Sequence, residues 1–373
     1  MPTDSRQSLV YSTDNPWCYE MPYYDRAPSS QLATQLARNE PFRTVLEELT
    51  VNGDALDVQF RLNDEVKLYA GGTCPLIVRF FKGEGLVEFD ADGRAYRRHY
   101  EKDDLSRGGF FGKRWDPREP SLHSAIRKYI AHEVVTGTCR RHQDKEGRIQ
   151  TRWAGLRDGK PWAPLDREAV IGYRNMAERN GAWEKAKTIC QDAWRTLPSE
   201  HGPWAASPLS RAATVKGAVP ALKQSRELDQ IAVDEQGNLV LIELKDASAK
   251  GASSTYAAPL QLLQYVHEWH LAAQDAEFRR QLQALVDAKR QLGFLQGLPA
   301  GMPTFEKGIR LRPVVAFGDY FSAREHERQR KFEAALRHVN GGSGTRFLPD
   351  GVMPVEAWCF SDGVPHTTTR LSQ

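Results

Sequence analysis

Short apolar and β-branched runs alternate with polar positions in the first third of the chain. Between Leu56 and Arg98 these runs are LDVQFRL, EVKLYA, PLIVRFF and GLVEFDADGRAYRR, separated by Asn-Asp, Gly-Gly and Asp-Gly pairs. Period-two alternation bounded by such pairs is typical of strands joined by tight turns. The pattern therefore predicts a small antiparallel sheet.

Helical spacing flanks this predicted sheet on both sides. A short helix is predicted near Ser30–Ala37, at the end of an irregular arm over residues 1–45. Apolar residues three and four positions apart predict another helix over Ser121–Val135, with Ser121 as its N-cap after Pro120.

The polar stretch RRHQDKEGRIQTRW then interrupts the pattern, and its turn formers and charges indicate a domain boundary near residues 140–165. We expect a β-rich N-terminal module of unknown role over residues 1–155 and a second domain over residues 156–373. Asp166 is predicted to cap a helix that Asn180-Gly181 ends. A separate helix is predicted from Trp183 to Leu197. The first of these helices has its helical positions at Ala169, Val170, Tyr173, Met176 and Ala177.

The C-terminal half alternates strand and helix patterns. Two β-rich runs, Glu227–Val233 and Asn238–Lys245, are joined by a turn and predict a hairpin. A long helix is predicted from Pro259, with further helix to about Leu292. After it we predict a strand over Leu311–Phe317, a helix over Ala323–Val339 ended by Gly341-Gly342, and a strand over Val355–Phe360. This order predicts a three-layer α/β domain with a mixed central sheet.

Composition narrows the class of protein. The 51 basic and 48 acidic residues nearly cancel, so any surface that binds nucleic acid must be a local patch. Five scattered cysteines fit reduced thiols better than a disulfide framework, and no set of four ligands for zinc is complete. The first residues lack the apolar core of a signal peptide, and no apolar run is long enough for a membrane helix. We therefore expect a cytoplasmic protein that does not contact a membrane.

Candidate chemistry lies in the predicted hairpin. Strand side chains alternate, so Glu243 and Lys245 share one face of the second strand, and a carboxylate from the first strand, Asp229, can face them. Two carboxylates and an amine suit a magnesium site, because Mg²⁺ prefers a few oxygen ligands and retains several waters. The alternative is a surface hairpin on which these charges form ordinary cross-strand pairs.

Several features in order resemble the PD-(D/E)xK nuclease superfamily. They are Asp229, a short turn with Gly237, the Glu243-Leu-Lys245 strand, and a helix with Gln261-x-x-x-Tyr265. The Q-x-x-x-Y helix is typical of the branch named for the nuclease domain of bacterial recombination exonucleases. Leu228 stands at the position before Asp229, where the family often has proline. The resemblance covers about residues 165–362 and implies a restriction-endonuclease-like core.

The resemblance also implies roles for single residues. Asp229 and Glu243 would bind Mg²⁺, for which Mn²⁺ can substitute, and Lys245 would position or activate the attacking water. Gln261 and Tyr265 would contact DNA or brace the site. An acidic residue is expected on the preceding helix, where Glu178, Glu184 and Asp192 all qualify and Glu184 is preferred. No cysteine set for an iron–sulfur cluster surrounds this core.

The expected function is hydrolysis of DNA, in phage defence, restriction or repair. RNA as the substrate, or a protein that keeps the fold and binds nucleic acid without cutting it, remain alternatives. The chain has no phosphate-binding loop of an ATPase, so any ATP-driven function needs a partner protein. A homo-oligomer, or a partner protein in a defence or repair system, is also compatible with the sequence.

Cations and aromatic residues are interleaved between Arg97 and Trp115, and cations can bind phosphates while rings stack on bases. The alternative is that Phe110, Phe111 and Trp115 pack beneath a loop and the arginines are solvated. The predicted nucleic-acid-binding residues are Arg107, Lys113, Arg114 and, at the start of the hairpin, Arg226.

Overall fold

The computed structural model describes most of the chain. The described residues are 22–51, 54–61, 64–81, 83–91, 111–142, 149–150, 153, 162–173, 176–197, 227–246, 255–295, 304–318, 326–342, 344, 346–361 and 364–367. They form a mixed α/β structure with a five-stranded and a six-stranded sheet and a separate two-stranded pair.

The N-terminal strands confirm the predicted antiparallel sheet. The short strands β1 and β2 pair with each other, and the other five form a sheet in the order β3-β4-β5-β6-β7 with antiparallel neighbours. The strands are β1 (Thr50–Val51), β2 (Asp54–Ala55), β3 (Asp57–Arg61), β4 (Glu65–Ala70), β5 (Thr73–Phe81), β6 (Leu86–Asp90) and β7 (Arg114–Trp115).

Helices pack around this sheet. The predicted first helix is confirmed, and its N-cap is Ser29, whose hydroxyl accepts a hydrogen bond from Leu32 N–H. The predicted helix over Ser121–Val135 is two helices, and Ser121 is not its cap. The first of them begins at Pro120, because proline suits a first helical turn. The helices are α1 (Ser30–Arg38), α2 (Glu40–Glu48), α3 (Pro120–Ile130) and α4 (Glu133–His142).

The second sheet is mixed. Its order is β13-β12-β11-β10-β9-β8, with β10, β11 and β12 parallel and the remaining neighbours antiparallel. The predicted hairpin is confirmed as β9 and β10, and β13 is a strand that the sequence pattern did not predict. The strands are β8 (Trp162–Ala169), β9 (Leu228–Asp234), β10 (Leu239–Lys245), β11 (Leu311–Phe317), β12 (Glu356–Ser361) and β13 (Val364–Thr367).

The prediction of a helix capped by Asp166 was wrong. Asp166 and Ala169 lie in the edge strand β8, and the helix begins only at Met176. Asn180-Gly181 does not end that helix, which continues without interruption to Arg195. An interior glycine costs about 1 kcal/mol, and the buried Trp183, Ala186 and Cys190 offset this cost by packing.

Four helices lie among the described residues after β8. A 3-10 turn over Thr255–Ala257 leads into the predicted helix after β10, and Asp275 caps the next helix by accepting from Phe278 N–H. The helix after β11 ends at Val339, as predicted. The helices are α5 (Met176–Arg195), α6 (Ala258–Ala273), α7 (Ala276–Gln291) and α8 (His326–Val339).

One hydrophobic cluster contains buried residues from both sheets, and a second cluster lies on the other face of the six-stranded sheet, around Val240, Ile242 and Leu244. Tyr24, from the segment before α1, packs its ring at 5.4 Å from Trp269 of α6 and donates a 2.5 Å hydrogen bond to Asp166 of β8. Arg61 of β3 pairs with the same carboxylate. In the described part of the chain, no helix has the length and apolar character needed to cross a membrane.

Candidate active site

The hairpin places two carboxylates side by side. The antiparallel register runs from Leu239 opposite Val233 to Ile242 opposite Gln230, so the next position sets Glu243 level with Asp229. Residues level with each other on antiparallel strands project from the same face of the sheet. Ile231 and Leu241, which share this face by alternation, cluster with buried residues of α6, so both carboxylates lie on the face that α6 covers.

The Asp229 carboxylate is fixed by a backbone group of the neighbouring strand. Its Oδ2 accepts a 2.7 Å hydrogen bond from Leu244 N–H. Burial, and then the negative charge of Glu243, raise the pKa of Asp229 to about 7, while Lys245, the Leu244 hydrogen bond and Arg167 act in the opposite direction. The fold thus holds two carboxyl groups close together. Burial and mutual repulsion both disfavour the state in which the two groups are ionised at once.

Glu243 and Lys245 form an ion pair. The Lys245 ammonium donates a hydrogen bond to Glu243 Oε1. The Lys245 side chain is 14% exposed to solvent and the Glu243 side chain is 2% exposed. Burial of this degree is uncommon for a carboxylate unless a cation or several donors surround it. The predicted placement of Glu243 and Lys245 on one face is therefore found together with a direct contact between them.

Gln261 and Tyr265 lie one turn apart on α6, which packs against β10 and β11. Tyr265 is buried, and Gln261 is partly exposed. Their common helix face matches the expectation from the four-residue spacing.

Glu184, the preferred acidic residue on the preceding helix, lies on the exposed face of α5. Its carboxylate pairs with Lys187 at 3.1 Å, and no contact in the described residues links it to Asp229 or Glu243. Asp192 is also exposed and pairs with Arg195. The side chain of Glu178, the third candidate, lies outside the described residues.

Two residues near the site escaped the sequence analysis because β8 was interpreted as a helix. Arg167 is fully buried, its guanidinium lies 4.3 Å from the centre of the Tyr69 ring, and its charge lowers the pKa of Asp229. Glu168 stands between residues paired with Gln230 and Leu228, level with Asp229, and has a φ of 51°. A strand reading of the Arg-Glu pair would have placed both beside β9.

Two of the predicted nucleic-acid-binding residues, Lys113 and Arg114, lie in the described part of the chain, in and next to β7. Lys113 is exposed, and Arg114 donates to both Glu84 oxygens at 2.7 Å and stacks 4.0 Å above the Phe81 ring. Phe111 packs edge-on against Tyr129, which agrees with the alternative of aromatic residues beneath a loop. Arg107 and Arg226 lie outside the described residues.

Asp229 and Glu243 are chemically suited to a divalent cation. Two adjacent carboxylates, of which Asp229 has a pKa raised by burial and then by the charge of Glu243, would be stabilised by a bound positive charge. Within the described residues no cluster of three or more His, Cys, Asp or Glu side chains could hold a metal ion. A pair is sufficient for Mg²⁺, which keeps several waters.

The chain has no match among protein-family models, curated proteins or solved structures. The geometry of the site and the sequence pattern therefore carry the functional argument.

Proposed function

We propose that this protein is a magnesium-dependent nuclease that hydrolyses DNA phosphodiester bonds. The observation that carries the proposal is the position of Asp229 and Glu243, level on neighbouring strands, with the Lys245 ammonium in contact with Glu243. Glu243 is buried, and Asp229 and Lys245 are half-buried, at the end of a run of apolar residues where charged groups are costly.

The element order around the site supports a restriction-endonuclease-like core. Among the described elements, helix α5, strands β9 and β10, helices α6 and α7 and strand β11 come in this order along the chain, and β11 pairs parallel to β10. The carboxylates stand on the two antiparallel strands, and the Gln261-Tyr265 helix follows at once. This is the arrangement that the sequence resemblance implies.

Each side chain has a part in the proposed reaction. Asp229, fixed through Oδ2, and Glu243 would bind Mg²⁺. The metal supplies an acidified water and neutralises charge on the scissile phosphate. Lys245 would orient that water and offset negative charge on the phosphate. Gln261 and Tyr265 would brace the site or contact the DNA.

The proposed setting is the cytoplasm, in phage defence, restriction or DNA repair. Two other functions fit the same residues: cleavage of RNA, and binding of nucleic acid without cleavage. Both are outcomes of the experiment below.

The test is cleavage of linear, nicked and circular DNA, and of RNA, by the wild type and by Glu243→Gln. We expect Mg²⁺ or Mn²⁺ to support DNA cleavage and Ca²⁺ to fail, because Ca²⁺ is larger and acidifies water less. Glu243→Gln should lose at least 10²-fold in rate, on the order expected for a metal ligand. Glu235→Gln, in the exposed turn of the same hairpin, is the matched control and should retain full activity.

Equal DNA cleavage by Glu243→Gln and the wild type would remove the site assignment. Cleavage of RNA alone would change the substrate class. Binding of DNA without cleavage in any metal would leave a binding protein of this fold.

A further inference from the structure

The first half of helix α8 lies near the end of the sheet that carries the candidate site, where strands β10 and β11 finish. Strands β10 and β11 are parallel, and Lys245 at the end of β10 is level with Phe317 at the end of β11. The Phe332 ring of α8 packs 5.2 Å from the Phe317 ring. The residues of α8 that precede Phe332 therefore lie towards the carboxyl end of β11, the end of the sheet at which Lys245 lies.

The carboxyl end of α8 lies at the opposite end of the strands, where β12 begins. Asn340, directly after the helix, exchanges hydrogen bonds of 2.9 and 2.8 Å with the backbone of Val355. Val355 precedes β12, which runs parallel to β11. The helix thus runs back along the strands, from their carboxyl ends near the site to their amino ends.

Positive charge is concentrated in the half of α8 that is close to the site. Residues 326–331 contain three cations, Arg328, Arg330 and Lys331, and one carboxylate, Glu327, which gives a net charge of +2 with His326 neutral. Residues 332–339 contain Glu333 and Arg337, which cancel. The helix dipole does not favour cations near a helix N-terminus, so helix stability does not account for this distribution.

The cationic half also contacts the entrance to α6. The Lys331 ammonium lies 6.0 Å from the centre of the Tyr256 ring, in the 3-10 turn that precedes α6, and it pairs with Glu327 at 2.6 Å. The hydrogen bond from Lys331, together with the charges of Lys331, Arg330 and Arg328, lowers the pKa of Glu327. Three cations therefore act together on one carboxylate in the first half of α8, towards the carboxyl end of β11.

We propose that Arg328, Arg330 and Lys331 form a surface that binds backbone phosphates of DNA flanking the bond held at Asp229 and Glu243. This inference rests on the proposed function for its substrate. The exposed Arg330 binds phosphate directly, and Lys331 holds the surface against the turn before α6. The contacts are to phosphates, so the surface contributes affinity without sequence preference.

Arg330 and Arg337 provide a matched pair of variants. Both are exposed, and they lie seven residues apart on one stripe of α8, about 10 Å along its axis. Arg330 lies towards the carboxyl ends of the strands, near the site, and Arg337 lies towards their amino ends. Glutamine at either position removes one positive charge from a solvent-exposed helix position, so both variants should fold.

The experiment measures binding of a labelled DNA duplex by the full chain in EDTA at several KCl concentrations. Arg330→Gln should weaken binding roughly fivefold to tenfold near 0.1 M salt and should reduce the slope of log affinity against log salt by about 0.9, one phosphate contact. Arg337→Gln should leave both unchanged. In Mg²⁺, Arg330→Gln should raise KM for DNA and leave kcat unaltered.

An unchanged slope for Arg330→Gln, an equal loss for Arg337→Gln, or no DNA binding by the wild type would each overturn the proposal. Binding in EDTA does not require cleavage, so the two proposals fail separately. A chain that binds through Arg330 but cuts no nucleic acid retains this surface and loses the nuclease function. If the wild type cuts DNA and Arg330→Gln binds DNA as tightly as the wild type, the nuclease function stands and the proposed surface is wrong.

Discussion

The carboxylate of Asp229 hydrogen-bonds to the backbone N–H of Leu244, on the strand beside it, at 2.7 Å. The backbone register between β9 and β10 extends to Gln230 opposite Ile242, and the Asp229 side chain continues the connection one residue further. A residue placed to bind metal therefore also holds the end of the hairpin together. Substitutions at position 229 should separate these two roles.

Asp229→Asn and Asp229→Ala should both abolish metal-dependent cleavage, but they should differ in stability. Asparagine keeps an oxygen that can accept from Leu244 N–H and removes the repulsion with Glu243. Alanine leaves a donor in a buried strand without its acceptor, which costs about 1–3 kcal/mol. Urea unfolding in EDTA should show Asp229→Asn at least as stable as the wild type, and Asp229→Ala about 1 kcal/mol or more below Asp229→Asn. Equal stability of the two variants would show that the Leu244 hydrogen bond contributes little.

Lys245 offers a second test, because its proposed role depends on charge and reach. Lys245→Ala should lower the cleavage rate by about 10²–10⁴-fold while Mn²⁺ still binds. Lys245→Arg keeps the charge, changes the geometry and should restore little activity. The measurement is a cleavage rate paired with a Mn²⁺ titration.

Lys187→Ala is the control for Lys245→Ala. It also removes a lysine from an ion pair with glutamate, on the surface of α5, and should cleave at the wild-type rate. A cleavage rate of Lys245→Ala within about threefold of the wild-type rate would be a far smaller loss than a positioned acid–base group contributes. The proposed nuclease role of this hairpin would then be wrong.

Lys289 of α7 should make stability depend on pH. Its ammonium is buried near Val58 O and Gln59 Oε1 of β3, and burial lowers its pKa to about 8, against the charges of Asp57 and Asp166, which raise it. Between about pH 8 and 10.5 the unfolded chain binds this proton and the folded protein does not. Stability from this group therefore rises with pH across that window, by about 3 kcal/mol in total.

The variant that tests this is Lys289→Met, which removes the buried charge. Its free energy of unfolding, relative to the wild type, should be higher at pH 7 than at pH 10. Lys185→Met, at an exposed position of α5, serves as the control and should show a constant difference. A constant difference for Lys289→Met as well would mean that the ammonium remains hydrated in the folded protein.

Local patterns predicted the elements that carry the candidate site. The alternation around Asp229 and Glu243 and the turn between them define the hairpin, and Pro259 marks the start of the helix with Gln261 and Tyr265. These features are encoded within about ten residues each, because side-chain periodicity and turn formers act over such distances. The strand over Leu311–Phe317 was predicted with its observed bounds for the same reason.

Strand β8 was decided by tertiary contacts. Apolar residues at helical spacing follow Asp166, yet Asp166 and Arg167 are buried in a strand because charged partners from distant parts of the chain surround them. Arg61 pairs with Asp166, and Asp57 lies 3.7 Å from Arg167. A buried charge is tolerated only when it is paired, and no local pattern specifies a partner a hundred residues away. The hairpin and its carboxylates were thus determined by the sequence, whereas the edge strand beside them and the packing of α8 against the end of β11 depended on long-range contacts.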